Sequence, residues 1–533
     1  MNVEELLGKY GKGDSKEHQI IGVKTLLANP YFLLADEVGC GKTKQIIDTA
    51  QILTLSADID TAVVVTPGFA RSTWAEEDPL LGEVAKYAWD NINNVIHEFH
   101  KSYTNIAWEP QALNWVVTNY EFIRRADRLE QLLQTLKGRK VMLVLDESWA
   151  IKGFSDQMKA CRALRLRRAL RVYELNGTPL SDGKPIDLYY PMLILSPEII
   201  GVQNRSHFKS KYCIMDARFP NRVLRYQNLD DLNARVAPYV LSRRTRDCWD
   251  LPPMLEPIII EARMTPTTWS LYTDMRDDMV GFIGSEVSSA KQAIVKALRL
   301  SQITSGFLGG LEELDDTQEQ TPADMPDWLT SLYPQAISGG AVRGSTGDTT
   351  GSVSIAGPKG PKVREIGREK LDATIAWIKA NEPGKLLTWC RFRPELERAT
   401  REFASLYPGV FNLKGGQTKD ERDLAKKFLA PGGDPARRGA CVGNQGAGGA
   451  SLNFSGANFA IYMSNGPELI KRTQSIGRIE RPGATQPMQV IDVVATGPKG
   501  QKTIDHVILK SLRSKDDMST WTMREWRKIR EDL

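Results

Sequence analysis

The stretch "YFLLADEVGCGKTKQIIDTAQIL", Tyr31 to Leu53, decides how the rest of the chain is read. It opens on a short apolar run, turns through glycines at 39 and 41, and continues as a helical pattern with Ile46, Ile47, Ala50 and Leu53 on one side. Strand, glycine-containing loop and helix in that order make a phosphate cradle, because the free N–H groups at a helix N-terminus point at anionic oxygens. Gly39, Cys40 and Gly41 supply those backbone donors. Lys42 is placed to reach the β- and γ-phosphates of ATP, and Thr43 to ligate Mg2+. The eight-residue form of the pattern starts on glycine, and this chain has Asp36 there.

Working outward, "TAVVVT", "NWVVT", "KVMLVLD" and "VYELN" are further apolar runs too short for helices, separated by helical patterns. Such alternation predicts a parallel sheet covered by helices on both faces. A second series, "KLLTW", "GVFNL", "ACVG", "FAIYM" and "MQVIDVV", predicts a second α/β lobe. The expected organisation is an N-terminal lobe over 1–240, a bridging helical segment over 241–307, an insertion over 308–363, a C-terminal lobe over 364–510 and a brace helix over 511–533. The insertion runs from acidic "LEELDDTQEQ" to Gly/Ser/Thr-rich sequence, a composition that buries too little apolar surface to offset its ordering entropy.

In "KVMLVLDES", Asp146 and Glu147 end an apolar strand, at the edge where open α/β sheets bind ligands. Asp146 is suited to hold Mg2+, and Glu147 to orient and deprotonate an attacking water. "HEFH" (97–100) lacks metal-site spacing and reads as an exposed histidine pair.

The 533 residues are 41% hydrophobic and 25% charged, an ordinary globular composition too long for one core. No apolar run is long enough to span a bilayer, and the polar N-terminus lacks a signal peptide's apolar region, so a cytoplasmic protein without membrane contacts is expected, in a bacterial or phage-infected cell, a nuclear location remaining open. The six cysteines form no CxxC pair, which argues against a disulfide framework or structural zinc site. A net charge of +5 neither requires nor excludes nucleic acid, although basic clusters such as "SRRTR" (242–246) and "GPKGPK" (357–362) are present.

Taken in order, these motifs resemble a superfamily 2 helicase, and more closely the Swi/Snf-type DNA translocases, over nearly the whole chain outside 308–363. "EHQIIGVKTLL" is similar to the adenine-recognition segment, with Gln19 in the glutamine position. "VVVTPGFARSTWAEE" carries the family's Pro67 and Trp74, and "VVTNYEFI" resembles the motif whose threonine, here Thr118, contacts a DNA strand. "DESWAIKGFS" matches the acid-pair box through Asp146, Glu147, Ile151, Lys152 and Ser155, with Trp149 where the family has histidine. "LNGTPLSDGKPIDLY" resembles the coupling motif, with Asn176 for its first threonine and Thr178 retained. "LSRRTRDCWDLPP" and "LKGGQTKDERDLAKKF" imply DNA contacts by Arg243, Arg244, Lys414 and Gly416. Lys152 joins that set, as does Asn453 of "GNQGAGGASLNFSGANFAIYMS". "QSIGRIERPGATQ" matches at Gln474, Gly477, Arg478, Arg481 and Gly483, with both arginines in positions that reach the γ-phosphate across a cleft.

The resemblance implies two RecA-like parallel-sheet lobes in tandem, an ATP cleft between them, and an ATPase that moves on double-stranded or forked DNA. It also implies replication or recombination proteins as partners, and a compact monomeric motor, with "LRLSQITSGF" loosely similar to the annealing and fork-remodelling branch. Trp149, Asn176 and Thr178 are assigned to coupling between nucleotide and lobe movement. A strand-separating DNA or RNA helicase is the alternative enzyme, and a pseudo-ATPase scaffold the alternative from another class. Lys42, Thr43, Asp146, Glu147, Arg478 and Arg481 speak against the scaffold.

Overall fold

The apolar runs become strands whose alternate residues enter different cores. In the N-terminal lobe the strands are β1 (Tyr31–Leu34), β2 (Thr61–Thr66), β3 (Asn94–Glu98), β4 (Leu113–Asn119), β5 (Val141–Asp146) and β6 (Ala169–Leu175). Phe32, Leu34, Val64, Val117 and Val144 enter one core cluster, while Leu33, Val63, Val65, Val116 and Leu145 enter the other. Burial on both faces is what a parallel sheet under two helical layers requires.

The computed structural model describes residues 2–79, 82–101, 104–180, 182–202, 204–217, 223–284, 290–309, 363–430, 438–446 and 453–531. After β6 come an antiparallel pair, β7 (Cys213–Met215) and β8 (Val223–Tyr226), and then β9 (Val240–Leu241), which returns to the first sheet beside β1. That sheet has the order β3-β4-β2-β5-β6-β1-β9 and every pairing is parallel. The next strands are β10 (Ile258–Arg263), β11 (Phe307–Leu308), β12 (Arg364–Glu365), β13 (Lys385–Trp389), β14 (Val410–Leu413), β15 (Gly439–Gly443), β16 (Phe459–Tyr462) and β17 (Gln489–Thr496). Six of them form the second parallel sheet, β10-β17-β16-β13-β15-β14. Two tandem parallel α/β lobes are therefore the architecture.

Three details differ from the sequence expectation. The stretch 241–307 is not only a helical bridge, because β10 lies inside it and pairs along its length with β17, extending the second sheet back to residue 258. The closing helix runs unbroken over Ile504–Glu531 instead of starting near 511. Its Ile504, Ile508 and Leu512 pack in a core cluster of the C-terminal lobe, and its Met523 and Trp526 in the core of the N-terminal lobe. The helix Lys42–Leu55 is engulfed, not one-sided: every residue from Lys44 to Leu53 is buried, and the Lys44–Asp48 ion pair at 2.6 Å satisfies the charges inside it. The insertion lies outside the described residues except for 308–309 and 363, and its first residue, Leu308, pairs with Arg364 just beyond its end in a short antiparallel ladder. "GPKGPK" and residues 447–452 of the glycine-rich motif also lie outside. Among the described residues no helix is long and apolar enough to cross a membrane.

Candidate active site

Both lobes bring the carboxyl ends of their strands to one cleft. The phosphate loop follows β1, and Gly41 (φ 74°) caps the helix Lys42–Leu55. A Cβ on Gly41 would stand 2.3 Å from Gln19 Nε2, so glycine is what lets the Gln19 amide approach the loop. Gln19 is held there by the backbone N–H of Lys16, which donates to its Oε1 at 3.1 Å. Lys42 Nζ donates to the carbonyls of Asp36 (2.7 Å) and Glu37 (3.2 Å), which keeps the ammonium inside the loop.

Asp36, the departure from the glycine pattern, is fully buried and faces Arg243, whose Nε donates to its Oδ1 at 2.9 Å and whose Nη2 meets its Oδ2. Arg243 also donates to the His18 carbonyl and, at 2.9 Å, to Gln45 Oε1. This corrects the assignment of Arg243 to DNA: a buried carboxylate needs a hydrogen-bonded counter-charge, and the guanidinium is fully engaged in supplying it.

The acid pair sits at the end of β5. Asp146 Oδ2 accepts from Trp74 Nε1 at 2.8 Å and from Thr66 Oγ1 at 3.1 Å, while Tyr120 donates its hydroxyl to the Asp146 carbonyl at 2.9 Å. Burial pushes the Asp146 carboxyl upward, opposed by those two donors and by Lys42. Glu147 adopts a left-handed backbone (φ 53°), a conformation that costs a non-glycine residue about 1–3 kcal/mol and recurs at functional turns. Its carboxyl is pushed up to about 7, first by burial and then by the neighbouring Asp146 charge, with Lys42, Trp149 and Arg478 pulling it back.

Glu147 Oε2 accepts from Trp149 Nε1 at 2.7 Å and from Gln474 Nε2 at 3.2 Å. Trp149 stands on the N-terminal lobe and Gln474 on the helix Leu469–Ile476 of the other, so one carboxylate oxygen joins the two. The sequence assigns Trp149 to coupling rather than chemistry; the structure has its indole bonded to the acid itself, where both roles meet. Beneath it, Asn176 is buried, its Nδ2 donating to Ser148 Oγ at 3.4 Å and its Oδ1 accepting from the N–H of Thr178, also buried, at 2.9 Å.

Facing the loop from the C-terminal lobe, Arg478 is 2% exposed, and its Nε and Nη1 have no hydrogen-bond partner among the described residues. Burial and the neighbouring Arg481 bring its guanidinium down to about 9. Arg481 is brought down to about 10, mainly by burial, and its Nε donates to the Gly477 carbonyl at 2.7 Å. Its Cγ lies 3.6 Å from where a Cβ on Gly39 (φ 107°) would stand, which places the second arginine against the phosphate loop. Arg246 and Glu480 form an ion pair across the same cleft.

The remaining DNA assignments divide. Arg244 is exposed and pairs with Asp247 on its own turn at 2.9 Å, and Gly416 (φ 77°) has open space around it in the loop that carries half-buried Lys414. Thr118 lies fully buried inside β4, so its side chain is not presented to a DNA strand. Lys152 is ion-paired with Asp182, and Asn453 accepts from the Ser455 N–H at 3.0 Å and donates to the Pro482 carbonyl at 3.4 Å. Thr43 is half-buried at the start of its helix, and the buried Cys40 turns its sulfur to Thr245. His97 and His100 are half-buried, not exposed; His97 Nε2 bonds Asn114 Oδ1 at 3.0 Å because β3, unforeseen in the sequence, carries it against β4. Among the described residues no cluster of three metal-binding side chains occurs.

Thr66 and Tyr120 are site residues that the motifs did not single out. Thr66 ends an apolar strand as Asp146 does, and β2 and β5 are neighbours with Val65 opposite Leu145, so the signal was strand-end polarity once the pairing is known.

Residues 18–318 match the family model for the SNF2-related domain, more than half of the chain. This protein belongs to the SNF2-related family. Its relatives include the "DNA repair and recombination protein RAD54-like" of Drosophila grimshawi, 24% identical over 92% of this chain and 59% of that one. The Drosophila virilis counterpart is 23% identical over 94% and 62%. This SNF2-related chain thus spans about three-fifths of the length of those curated relatives. The "Chromatin remodeling factor mit1" of Schizosaccharomyces pombe is 24% identical over 45% of this chain and 16% of its own. Among solved structures, the "Sulfolobus solfataricus SWI2/SNF2 ATPase core in complex with dsDNA" is 21% identical, covers 96% of this chain and 95% of its own, and has a TM-score of 0.39.

Proposed function

We propose that this SNF2-related chain is an ATP-dependent translocase on double-stranded DNA, coupling hydrolysis at the inter-lobe cleft to movement along the duplex or its remodelling. The observation that carries the reading is the Glu147 carboxylate, bonded from both lobes, beside the phosphate loop and facing the unpartnered guanidinium atoms of Arg478. A buried cation without a partner is costly, and a triphosphate oxygen supplies the missing acceptor.

The residues fit ATP and Mg2+. Gln19 stands in the adenine-recognition position, the amides of 39–43 cradle the phosphates, and Lys42 neutralises them. Thr43 and Asp146 would hold Mg2+, which supplies positive charge to the bridging phosphates. Glu147 takes the proton of the attacking water, and a carboxyl near 7 is matched to that work at neutral pH. Arg478 and Arg481 meet the charge that develops on the transferred phosphoryl, a contribution on the order of 10³–10⁵ in rate. Closing the cleft brings the two arginines and Gln474 onto the nucleotide, and hydrolysis releases them, which is the elementary stroke of a two-lobed motor.

The DNA reading draws on exposed Arg244, the Lys414–Gly416 loop, and relatives named for DNA repair and recombination. Contacts to phosphates alone give affinity without sequence preference, as a translocating enzyme needs. Double-stranded or forked DNA and proteins of replication or recombination are the partners in this reading. ATP hydrolysis measured with and without blunt duplex DNA tests it, together with displacement of a triplex strand. No stimulation by duplex overturns the proposal, and unwinding of a tailed duplex without triplex displacement replaces it with a strand-separating helicase.

A further inference from the structure

The backbone carbonyls of Val38, Gly39 and Cys40, consecutive in the phosphate loop, accept hydrogen bonds from side chains beyond the loop itself. Thr245 Oγ1 donates to the Val38 carbonyl at 2.9 Å, and Trp249 Nε1 to the Gly39 carbonyl at 3.2 Å. The Cys40 carbonyl lies 3.1 Å from His18 Nε2 and accepts from Gln45 Nε2 at 3.2 Å. A trans peptide unit is planar, so its C=O and the N–H that follows point in opposite directions. Holding these carbonyls outward therefore aims the N–H groups of Gly39, Cys40 and Gly41 inward, where phosphate oxygens would lie. The Cys40 N–H shows that direction, because it meets the Glu37 carbonyl at 3.4 Å, which Lys42 Nζ also reaches.

Thr245 and Trp249 belong to the segment after β9 that also carries Arg243 and Arg244. Buried Thr245 grips the loop at three points: its backbone N–H donates to Glu37 Oε2 at 3.0 Å, its hydroxyl holds Val38, and its methyl stands 3.3 Å from where a Cβ on Gly39 would lie. Trp249 is seated by His18, whose ring packs edge-on to the indole with centroids 5.5 Å apart. Gly39 and Gly41 are the loop residues whose backbones rotate most freely, so bonds from outside decide which way its peptides face. We propose that Thr245 and Trp249 are positioning residues for nucleotide binding, which turn the loop carbonyls away from the cleft and so keep its N–H groups aimed at the phosphates. This role rests on the nucleotide reading of the loop, and falls to side chains that lie behind it.

Losing one of these bonds leaves a loop peptide free to turn over, and the cost falls on nucleotide affinity, because Lys42, Glu147 and Arg478 are untouched. The test uses the full chain with three substitutions. Thr245→Val keeps the methyl and removes the hydroxyl, Thr245→Ser keeps the hydroxyl, and Trp249→Phe removes the indole N–H while leaving an aromatic ring beside His18. A fluorescent ATP analogue reports binding, and steady-state hydrolysis gives KM and kcat for ATP. Thr245→Val and Trp249→Phe should each weaken analogue binding by about three- to tenfold, the net effect of one hydrogen bond, and raise KM in step with kcat unchanged. Thr245→Ser should bind as wild type does. A merely structural role would lower the melting temperature of the nucleotide-free protein and leave analogue binding and KM where they are. Undiminished binding by either Thr245→Val or Trp249→Phe, a fall in kcat at constant KM, or equal losses in Thr245→Val and Thr245→Ser overturns the proposal. Wild-type protein that binds no analogue refutes the nucleotide reading itself, whereas wild-type binding with undiminished variants refutes the positioning role alone.

Discussion

Replacing Trp149 with phenylalanine removes one N–H donor and keeps most of the ring. That donor reaches Glu147 Oε2 at 2.7 Å, and the donor that remains, Gln474 Nε2, is longer at 3.2 Å. A hydrogen bond to a charged group contributes about 1.5–3 kcal/mol, and one pKa unit corresponds to about 1.4 kcal/mol. The Glu147 carboxyl, pushed up to about 7 by burial and by Asp146, should therefore rise by a further one to two units or so. The sign follows from the chemistry: a general base acts only when ionised, so activity is present above its pKa and is lost as pH falls through it. In the Trp149→Phe protein the acid limb of hydrolysis should move from near neutrality to about pH 8–9, with a deficit of about 5- to 50-fold at pH 7 that closes toward pH 9.5. The assay is the initial rate of ATP hydrolysis at saturating duplex DNA across this pH range. An acid limb that stays in place while the rate falls uniformly refutes the reasoning, because the indole would then not be supporting the ionised carboxylate.

Three further substitutions separate roles that the structure distinguishes. Trp149→His keeps a ring N–H while changing what spans the lobes, so DNA stimulation should change more than basal turnover; the reverse ratio removes Trp149 from coupling. Arg243→Ala strips the buried Asp36 of its partner and should lower the unfolding free energy by about 3–5 kcal/mol in a denaturant titration, whereas unchanged stability with weakened DNA binding would restore a phosphate-contact role. Arg478→Met removes a buried guanidinium with two unpartnered nitrogens, so the protein without nucleotide should melt no lower than wild type while turnover falls by about 10³-fold or more. A lower melting temperature there would mean that Arg478 is held by the fold rather than kept for a ligand.

Much of this molecule is legible without coordinates, and each residue shows why or why not. The strand–loop–helix at 31–53 is local: glycine positions, apolar period and the Lys-Thr pair all lie within one continuous segment, so sequence alone places the phosphate loop. The acid pair is equally local, ending the apolar run of β5. Strands β3, β9 and β10 escaped because they are short or alternate with exposed residues, and pairing with a distant neighbour stabilises them more than their own pattern does. The C-terminal helix escaped in another way, since its periodicity gives the helix but not the two cores that it enters.

What the sequence determined by itself is the chemistry: a phosphate cradle, a carboxylate pair, two arginines, and the order in which they occur. What only the tertiary structure decided is which charges are available to a ligand. Arg243 and Arg244 are adjacent and identical in type, yet one is engaged with buried Asp36 and the other faces solvent, ion-paired with Asp247 from its own turn. Sequence cannot separate them, because desolvation and pairing depend on groups roughly two hundred positions away that come together only when β1 and β9 lie side by side. The same holds for Trp149, Glu147 and Gln474, joined through one carboxylate oxygen by the meeting of two lobes.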